Sequence, residues 1–246
     1  MHRFFLPEDW MIQDRVTITG SLVHRLRNVL RLEAGEHITV LDNSGWEYEV
    51  ELKALREDRA EGTVISKTFS NGEPAVRITL YQALLKSSNF EFVLQKCTEI
   101  GVSGFVPIAC ERCVAVKPDA RRLTRWQKVI LEAAQQSKRG KLPVLHHVTQ
   151  FKEACELASG VSLMPWEGEE SRGLKDVLRS FPASDDISTI GIFVGPEGGF
   201  SPQEIDFARQ RGITPVTMGS RIMRAETAGL VAAAIALYEF GEMDGH

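Results

Sequence analysis

The stretch Thr189-Ile190-Gly191-Ile192-Phe193-Val194-Gly195-Pro196-Glu197-Gly198-Gly199-Phe200-Ser201-Pro202-Gln203-Glu204-Ile205 decides the fold. Its apolar start, to Val194, reads as a buried strand. Gly195, Pro196, Gly198 and Gly199 then turn the backbone sharply and let it approach a neighbour closely. A helix follows: Ser201 suits the N-cap, Pro202 the first helical position, and Glu204 the third residue of a capping box. A strand, a glycine-rich turn and a helix N-terminus together make a ligand cradle with free amides and a favourable dipole.

A second block lies about twenty residues on: Met218-Gly219-Ser220-Arg221-Ile222-Met223-Arg224-Ala225-Glu226-Thr227-Ala228. It follows a short strand, 215–218, and opens a final helix, 226–240, whose residues are nearly all small or apolar. Such a helix must be buried on most sides, within the chain or against a second copy.

Upstream, strands and helices alternate. Strands are expected over 76–85, 104–108, 161–164 and 188–194, and helices over 89–100, 121–136, 151–158 and 202–211. On the second of these helices Leu123, Trp126, Val129, Ile130 and Ala133 share a face, which favours Trp126 as core over a base-stacking platform. The alternation predicts an α/β domain with a mostly parallel sheet and its ligand at the carboxyl ends of the strands. The first seventy residues differ. Short strand-like runs cover 3–6, 16–19, 37–41, 48–52 and 62–69, with one helix from Ser21 to Leu30 capped by Ser21. Ser70-Asn71-Gly72-Glu73-Pro74 reads as a linker, giving domains 1–72 and 73–246.

The 246 residues are 43% hydrophobic and 25% charged, enough apolar material for a sizeable core. No apolar run reaches the roughly 20 residues that span a bilayer, and the N-terminus lacks a signal peptide's pattern. A cytoplasmic protein with no membrane partner is expected. Cys110 and Cys113 form a CxxC, but Cys97 and Cys155 stand alone and His146-His147 has no finger-like spacing. Reduced thiols and no metal are the expectation. A net charge of -4 argues against nucleic acid, yet residues 111–141 hold nine Lys or Arg against three acids, a local +6. His24, Arg25, Arg27 and Arg31 form a smaller basic run. Localised charge on an acidic protein suits a partner docking on one face; a solvated helix face is the alternative.

The two glycine-bearing blocks, GPEGGFS and RIMRAETA, resemble the loops of the RsmE family, 16S ribosomal RNA uridine-N3 methyltransferases of the SPOUT superfamily. The likeness extends through His24 to Leu32, Gln95 to Val106, Glu111-Arg112 and Arg125 to Arg139. Cys113 stands where the family's ERS-like element has serine. The resemblance implies a C-terminal SPOUT trefoil-knot domain and a small N-terminal PUA-like β-barrel. It implies S-adenosylmethionine as cofactor, held by Met164 and the loop after it, by Gly195, Pro196, Glu197, Gly198 and Gly199, and by Met218, Gly219, Ile222, Met223, Arg224, Ala225 and Thr227. The resemblance further implies uridine 1498 of 16S rRNA within the assembled 30S subunit as target, and a homodimer. Uridine N3 carries a proton at neutral pH, so a base, or a cation for the developing anion, is required. Arg224 takes the cationic role; Glu226 and Glu197 are possible bases, though Glu226 equally fits a helix cap and Glu197 a loop brace. Arg25, Arg27, Arg31, Lys86, Lys96, Arg112, Arg121, Arg122, Arg125, Lys138 and Arg139 are the expected RNA contacts. Rival readings are another SPOUT RNA methyltransferase and a non-enzymatic assembly factor. A Rossmann enzyme is disfavoured, because GPEGGF is not GxGxxG.

Overall fold

The structure, a computed structural model, describes residues 1–115, 117–181 and 189–244. The chain divides into two compact units. One is Met1–Glu73 with Ala134–Leu142; the other is Pro74–Ala133 with Pro143–His246. The first therefore takes in a short segment that the sequence reading gave to the second domain.

In the N-terminal unit, β1 (His2–Phe5), β2 (Met11–Ile12), β3 (Arg15–Thr19), β4 (His37–Leu41), β5 (Trp46–Leu55) and β6 (Arg59–Phe69) form one sheet ordered β1-β4-β5-β6-β3-β2. β1 pairs parallel with β4 and the other pairs are antiparallel. The period-2 pattern is plain in β3, where Val16 and Ile18 are buried between exposed Arg15, Thr17 and Thr19. They join Phe4, Val23, Leu26, Ile38, Val40, Val50 and Leu52 in the unit's core. Among the described residues β1 and β2 are free edges, so an open sheet stands where a closed barrel was expected. The helix after β3 also departs from expectation. Its cap is Gly20 at φ 66°, not Ser21, and α1 (Ser21–His24) widens into a π-helical turn over Arg25–Val29, with Leu30 N–H donating to Arg25 O at 2.9 Å.

The second unit alternates as read. β7 (Arg77–Ala83), α2 (Ser87–Ile100), β8 (Gly104–Ala109) and α3 (Ala120–Gln136) come first. Two strands of two residues each, β9 (Val144–Leu145) and β10 (Thr149–Gln150), lead into α4 (Phe151–Leu157). Then follow β11 (Val161–Pro165), α5 (Leu174–Ser180), β12 (Thr189–Val194), α6 (Pro202–Gln210), β13 (Thr214–Val216) and α7 (Ala225–Glu239). The sheet runs β10-β8-β7-β12-β11-β13, with β9 also on β8, and every pairing is parallel. Helices cover both faces, as a parallel sheet requires. Ile78, Leu80, Ile190 and Ile192 meet residues of α2, α3, α5 and α7 on one face. Tyr81, Ala83, Met164 and Phe193 meet those of α4 and α6 on the other. Trp126 is 1% exposed and stacks on Phe90 at 4.1 Å, so it is core.

α7 buries one face only: Ala225, Gly229, Ala232, Ala233, Ala236 and Leu237. Gly229 packs closely there, because a Cβ would lie 3.2 Å from both Gln82 Oε1 and Leu80 Cδ1 and would make those side chains shift. Leu230, Val231, Ala234 and Ile235 stay half-buried and Tyr238 is exposed. No described helix is long and apolar enough to cross a membrane.

Candidate active site

The glycine-rich turn leaves β12 at Val194, which pairs with Gln82 of β7. Gly199 N–H donates to Pro196 O at 2.9 Å, closing a tight turn with Gly199 at φ +67°. A Cβ on Gly195 would lie 3.2 Å from the Phe200 ring and 3.3 Å from Phe200 N, so only glycine lets the chain fold back on itself. The capping box forms as expected. Glu204 N–H donates to Ser201 Oγ at 3.3 Å, and Ser201 N–H donates to Glu204 Oε2 at 2.9 Å. The other carboxylate oxygen has a second use that a local reading misses: Glu204 Oε1 accepts from Glu111 N–H at 2.9 Å. Beside it Arg112 Nη1 donates to Gly198 O at 2.9 Å. The turn after β8 thus grips the glycine loop at two points.

The second block is built differently. Thr217 N–H donates to Arg172 O and Thr217 O accepts from Leu174 N–H, which pins the end of β13 to the start of α5. Beyond it the chain is open. Gly219, at φ +99°, is steadied by Thr217 Oγ1 at 3.2 Å, and a Cβ there would meet nothing within 4 Å. Ile222 is 87% exposed while Met218 and Met223 are half-buried. Arg224 is the N-cap of α7, its side chain 87% exposed, with Nη1 4.0 Å from Glu226 Oε1. Thr227 and Ala228 N–H groups both donate to Arg224 O at 2.9 Å.

Parallel pairing brings these parts to one edge. Pro165 of β11 pairs with Val216 of β13, and Leu163 pairs with Ile192 of β12, so the loops after all three strands leave the same end of the sheet. Glu167, just past β11, lies 2.8 Å from where a Gly199 Cβ would stand. The α7 start joins them through Gly229 and Gln82. Gln82 is fully buried, and its Oε1 has no partner among the described residues. A cavity of about 420 Å³ near Glu169, Arg172 and Arg209 includes none of this loop edge.

The expected cofactor residues Gly195, Pro196, Glu197, Gly198, Gly199, Met218, Gly219, Ile222, Met223, Arg224, Ala225 and Thr227 all lie on these loops or the first turn of α7. Met164 does not present its side chain there: it is 0% exposed, packed in the core with Phe193 and Phe200. Glu197 is exposed on the glycine loop and Glu226 half-buried in the first turn of α7, where the helix dipole favours a carboxylate.

The expected RNA contacts separate into two groups. Arg139 is withdrawn from that role, being 2% exposed with its guanidinium donating to Glu73 at 3.1 and 2.7 Å. Arg125 holds Glu91 at 2.6 and 2.8 Å, Lys96 holds Glu99 at 2.8 and 3.0 Å, and Arg112 serves the glycine loop. Lys86, Arg121 and Lys138 are exposed, as are Arg25 and Arg31, while Arg27 and Arg122 are half-buried. Among the described residues no group of three His, Cys, Asp or Glu could hold a metal ion.

A family model for an RNA methyltransferase domain matches residues 72–237. Ribosomal RNA small subunit methyltransferase E of Synechocystis sp. is 34% identical over 95% of this chain and 76% of its own length. The Bacillus subtilis protein of that name is 30% identical over 97% of both. The crystal structure of the Neisseria gonorrhoeae protein of that name, bound to S-adenosyl methionine, superposes with a TM-score of 0.86 at 32% identity, covering 97% of each chain. Since these likenesses take in the glycine loop, the second block and α7 together, the chain belongs to the ribosomal RNA small subunit methyltransferase E family.

Proposed function

We propose that this protein is an S-adenosylmethionine-dependent methyltransferase acting on N3 of uridine 1498 in 16S rRNA, with the assembled 30S subunit as substrate. One observation carries the reading. Three loops at the carboxyl ends of β11, β12 and β13 converge with the N-terminus of a long helix, and the last of them carries exposed Ile222 beside half-buried Met218 and Met223. The residues fit the cofactor: open space at Gly219, exposed Ile222 beside half-buried Met218 and Met223, and a Gln82 Oε1 without a partner among the described residues. When bound, the sulfonium supplies an electrophilic methyl group.

The chain's own residues do the rest. The second block offers the adenine a soft apolar slot, and the glycine loop admits the ribose and methionine parts without side-chain obstruction. Arg224, exposed at the helix start, stabilises negative charge on a uracil that has lost its N3 proton. Glu226 or Glu197 receives that proton. Exposed Arg25, Arg31, Lys86, Arg121 and Lys138, with half-buried Arg122, contact phosphates. In this reading residues 1–72 are a PUA-like RNA-binding domain and 73–246 a SPOUT domain whose C-terminal segment is threaded as a trefoil. The half-buried face of α7 pairs with a second copy. The protein works in the cytoplasm. The test is methyl transfer from labelled S-adenosylmethionine to 30S subunits lacking the modification. A single 3-methyluridine, identified by mass spectrometry, supports the reading. Transfer to another atom or RNA overturns the substrate, and no transfer with cofactor bound overturns the activity.

A further inference from the structure

We propose that Cys110 and Cys113 form an oxidant-reactive dithiol whose closure to a disulfide loosens the glycine loop. The two residues bracket a four-residue turn closed by Cys113 N–H donating to Cys110 O at 3.1 Å. The ends of such a turn lie within the Cα separation that a disulfide bridges. Cys110 N–H donates to Cys113 Sγ at 3.3 Å, which holds the Cys113 sulfur against the Cys110 end of the turn.

The pair is asymmetric, as an attacking and a resolving thiol must be. Cys113 is half-exposed, and the hydrogen bond from the Cys110 thiol, working against partial burial, lowers it to about 7. Cys110 is buried and pushed far up, by its hydrogen bond to Cys113 and then by burial. Glu204 raises both. The other thiols are poor competitors. Cys97 is 0% exposed and raised by burial, and burial pushes Cys155 up to about 12.

The oxidant is a small hydroperoxide such as hydrogen peroxide. The Cys113 thiolate attacks one peroxide oxygen; an S–O bond forms, the O–O bond breaks, and the released hydroxide takes a proton to become water. Sulfur is oxidised by two electrons and peroxide reduced by two. Cys110 sulfur then attacks Cys113 Sγ; an S–S bond forms, the S–O bond breaks, and hydroxide leaves with the Cys110 proton as a second water. A dithiol reductant attacks the disulfide, returns both cysteines to thiols and is itself oxidised to a disulfide. The middle of the closing turn holds Glu111 and Arg112, which supply the two hydrogen bonds gripping Glu204 and Gly198. Re-aiming that turn releases the glycine loop.

The consequence for cofactor rests on the function proposed above, whereas the disulfide does not. The full chain is treated with hydrogen peroxide, and intact mass, disulfide-linked peptides and calorimetric affinity for S-adenosylmethionine are read. Expected are a loss of two hydrogens, a Cys110–Cys113 link, and affinity about tenfold weaker, the loss of roughly two ordinary hydrogen bonds. Dithiothreitol restores it, and Cys113→Ser is insensitive to peroxide. Sulfinic acid at Cys113 without a link, or earlier reaction at Cys97 or Cys155, overturns the site. A link with unchanged affinity overturns the coupling. Mass is read without cofactor, so a reduced protein that binds no S-adenosylmethionine overturns the functional reading and leaves the mass to decide the disulfide.

Discussion

The two loops that mark this chain in sequence are opposites in structure. The one at Gly195–Phe200 is wired from four sides: its own Gly199–Pro196 turn, the Ser201–Glu204 box, the Glu111 amide and the Arg112 guanidinium. The one from Met218 to Arg224 is braced at Gly219 and leaves Ile222 and Arg224 each 87% exposed. A preformed bracket faces a loosely held clasp. The bracket fixes geometry before any ligand arrives, so its cost is met during folding; the clasp gains its contacts only on binding.

That contrast breaks most visibly at Arg224. Among the described residues its side chain makes only a 4.0 Å approach to Glu226, so removing it should cost the free protein little. Arg224→Ala should lower kcat about 100- to 1000-fold, the cost of losing a charge-stabilising donor, with cofactor affinity within a factor of two or so. Single-turnover kinetics with parallel calorimetry checks this; near-normal turnover removes Arg224 from the mechanism. The bracket should fail in the opposite sense. In Gly195→Val the added carbons meet Phe200 N at about 3.3 Å, a backbone atom that cannot step aside. Overpacking of this kind costs about 1–3 kcal/mol, so affinity should fall roughly 10- to 100-fold. Unchanged calorimetric affinity would refute the loop's assignment.

Glu204 tests how much of the bracket is folding energy. It is 8% exposed, and both oxygens are occupied. Glu204→Ala deprives Ser201 N–H and Glu111 N–H of partners at once and should cost about 2 kcal/mol. The urea midpoint falls while the m-value holds. Glu204→Gln keeps an acceptor oxygen and should cost less than half of that; equal losses would show that the charge, not the hydrogen bonds, matters.

Legibility in the sequence follows the range of the interaction. The Ser201–Glu204 box spans three residues, and the parallel alternation rests on periodicity, so both are readable locally. The resemblance points Arg139 and Arg112 toward phosphates, and nothing near them in sequence says otherwise. Their partners Glu73 and Gly198 lie 66 and 86 positions away. Met164 was drawn toward the cofactor by its loop, although its own position faces the core. α5 escaped notice because seven residues with only Leu174 and Leu178 buried carry too little periodicity. The π-helical turn at Arg25–Val29 has a hydrophobic pattern that an α-helix would share.

The smallest expected effect is the sharpest test of the clasp. Ile222 is a large apolar side chain at 87% exposure, so it contributes almost nothing to the free fold. Ile222→Ser should move stability by less than about 0.5 kcal/mol. If the loop closes over an adenine, the same change removes part of a buried contact worth about 1–2 kcal/mol and weakens affinity roughly five- to tenfold. The two readings separate cleanly because one is measured without ligand and the other with it. A stability loss would mean the side chain is already packed in the free protein. Affinity unchanged alongside unchanged stability would mean that Ile222 serves neither fold nor cofactor, and would leave the apolar slot to Met218 and Met223, the two half-buried members of the same loop.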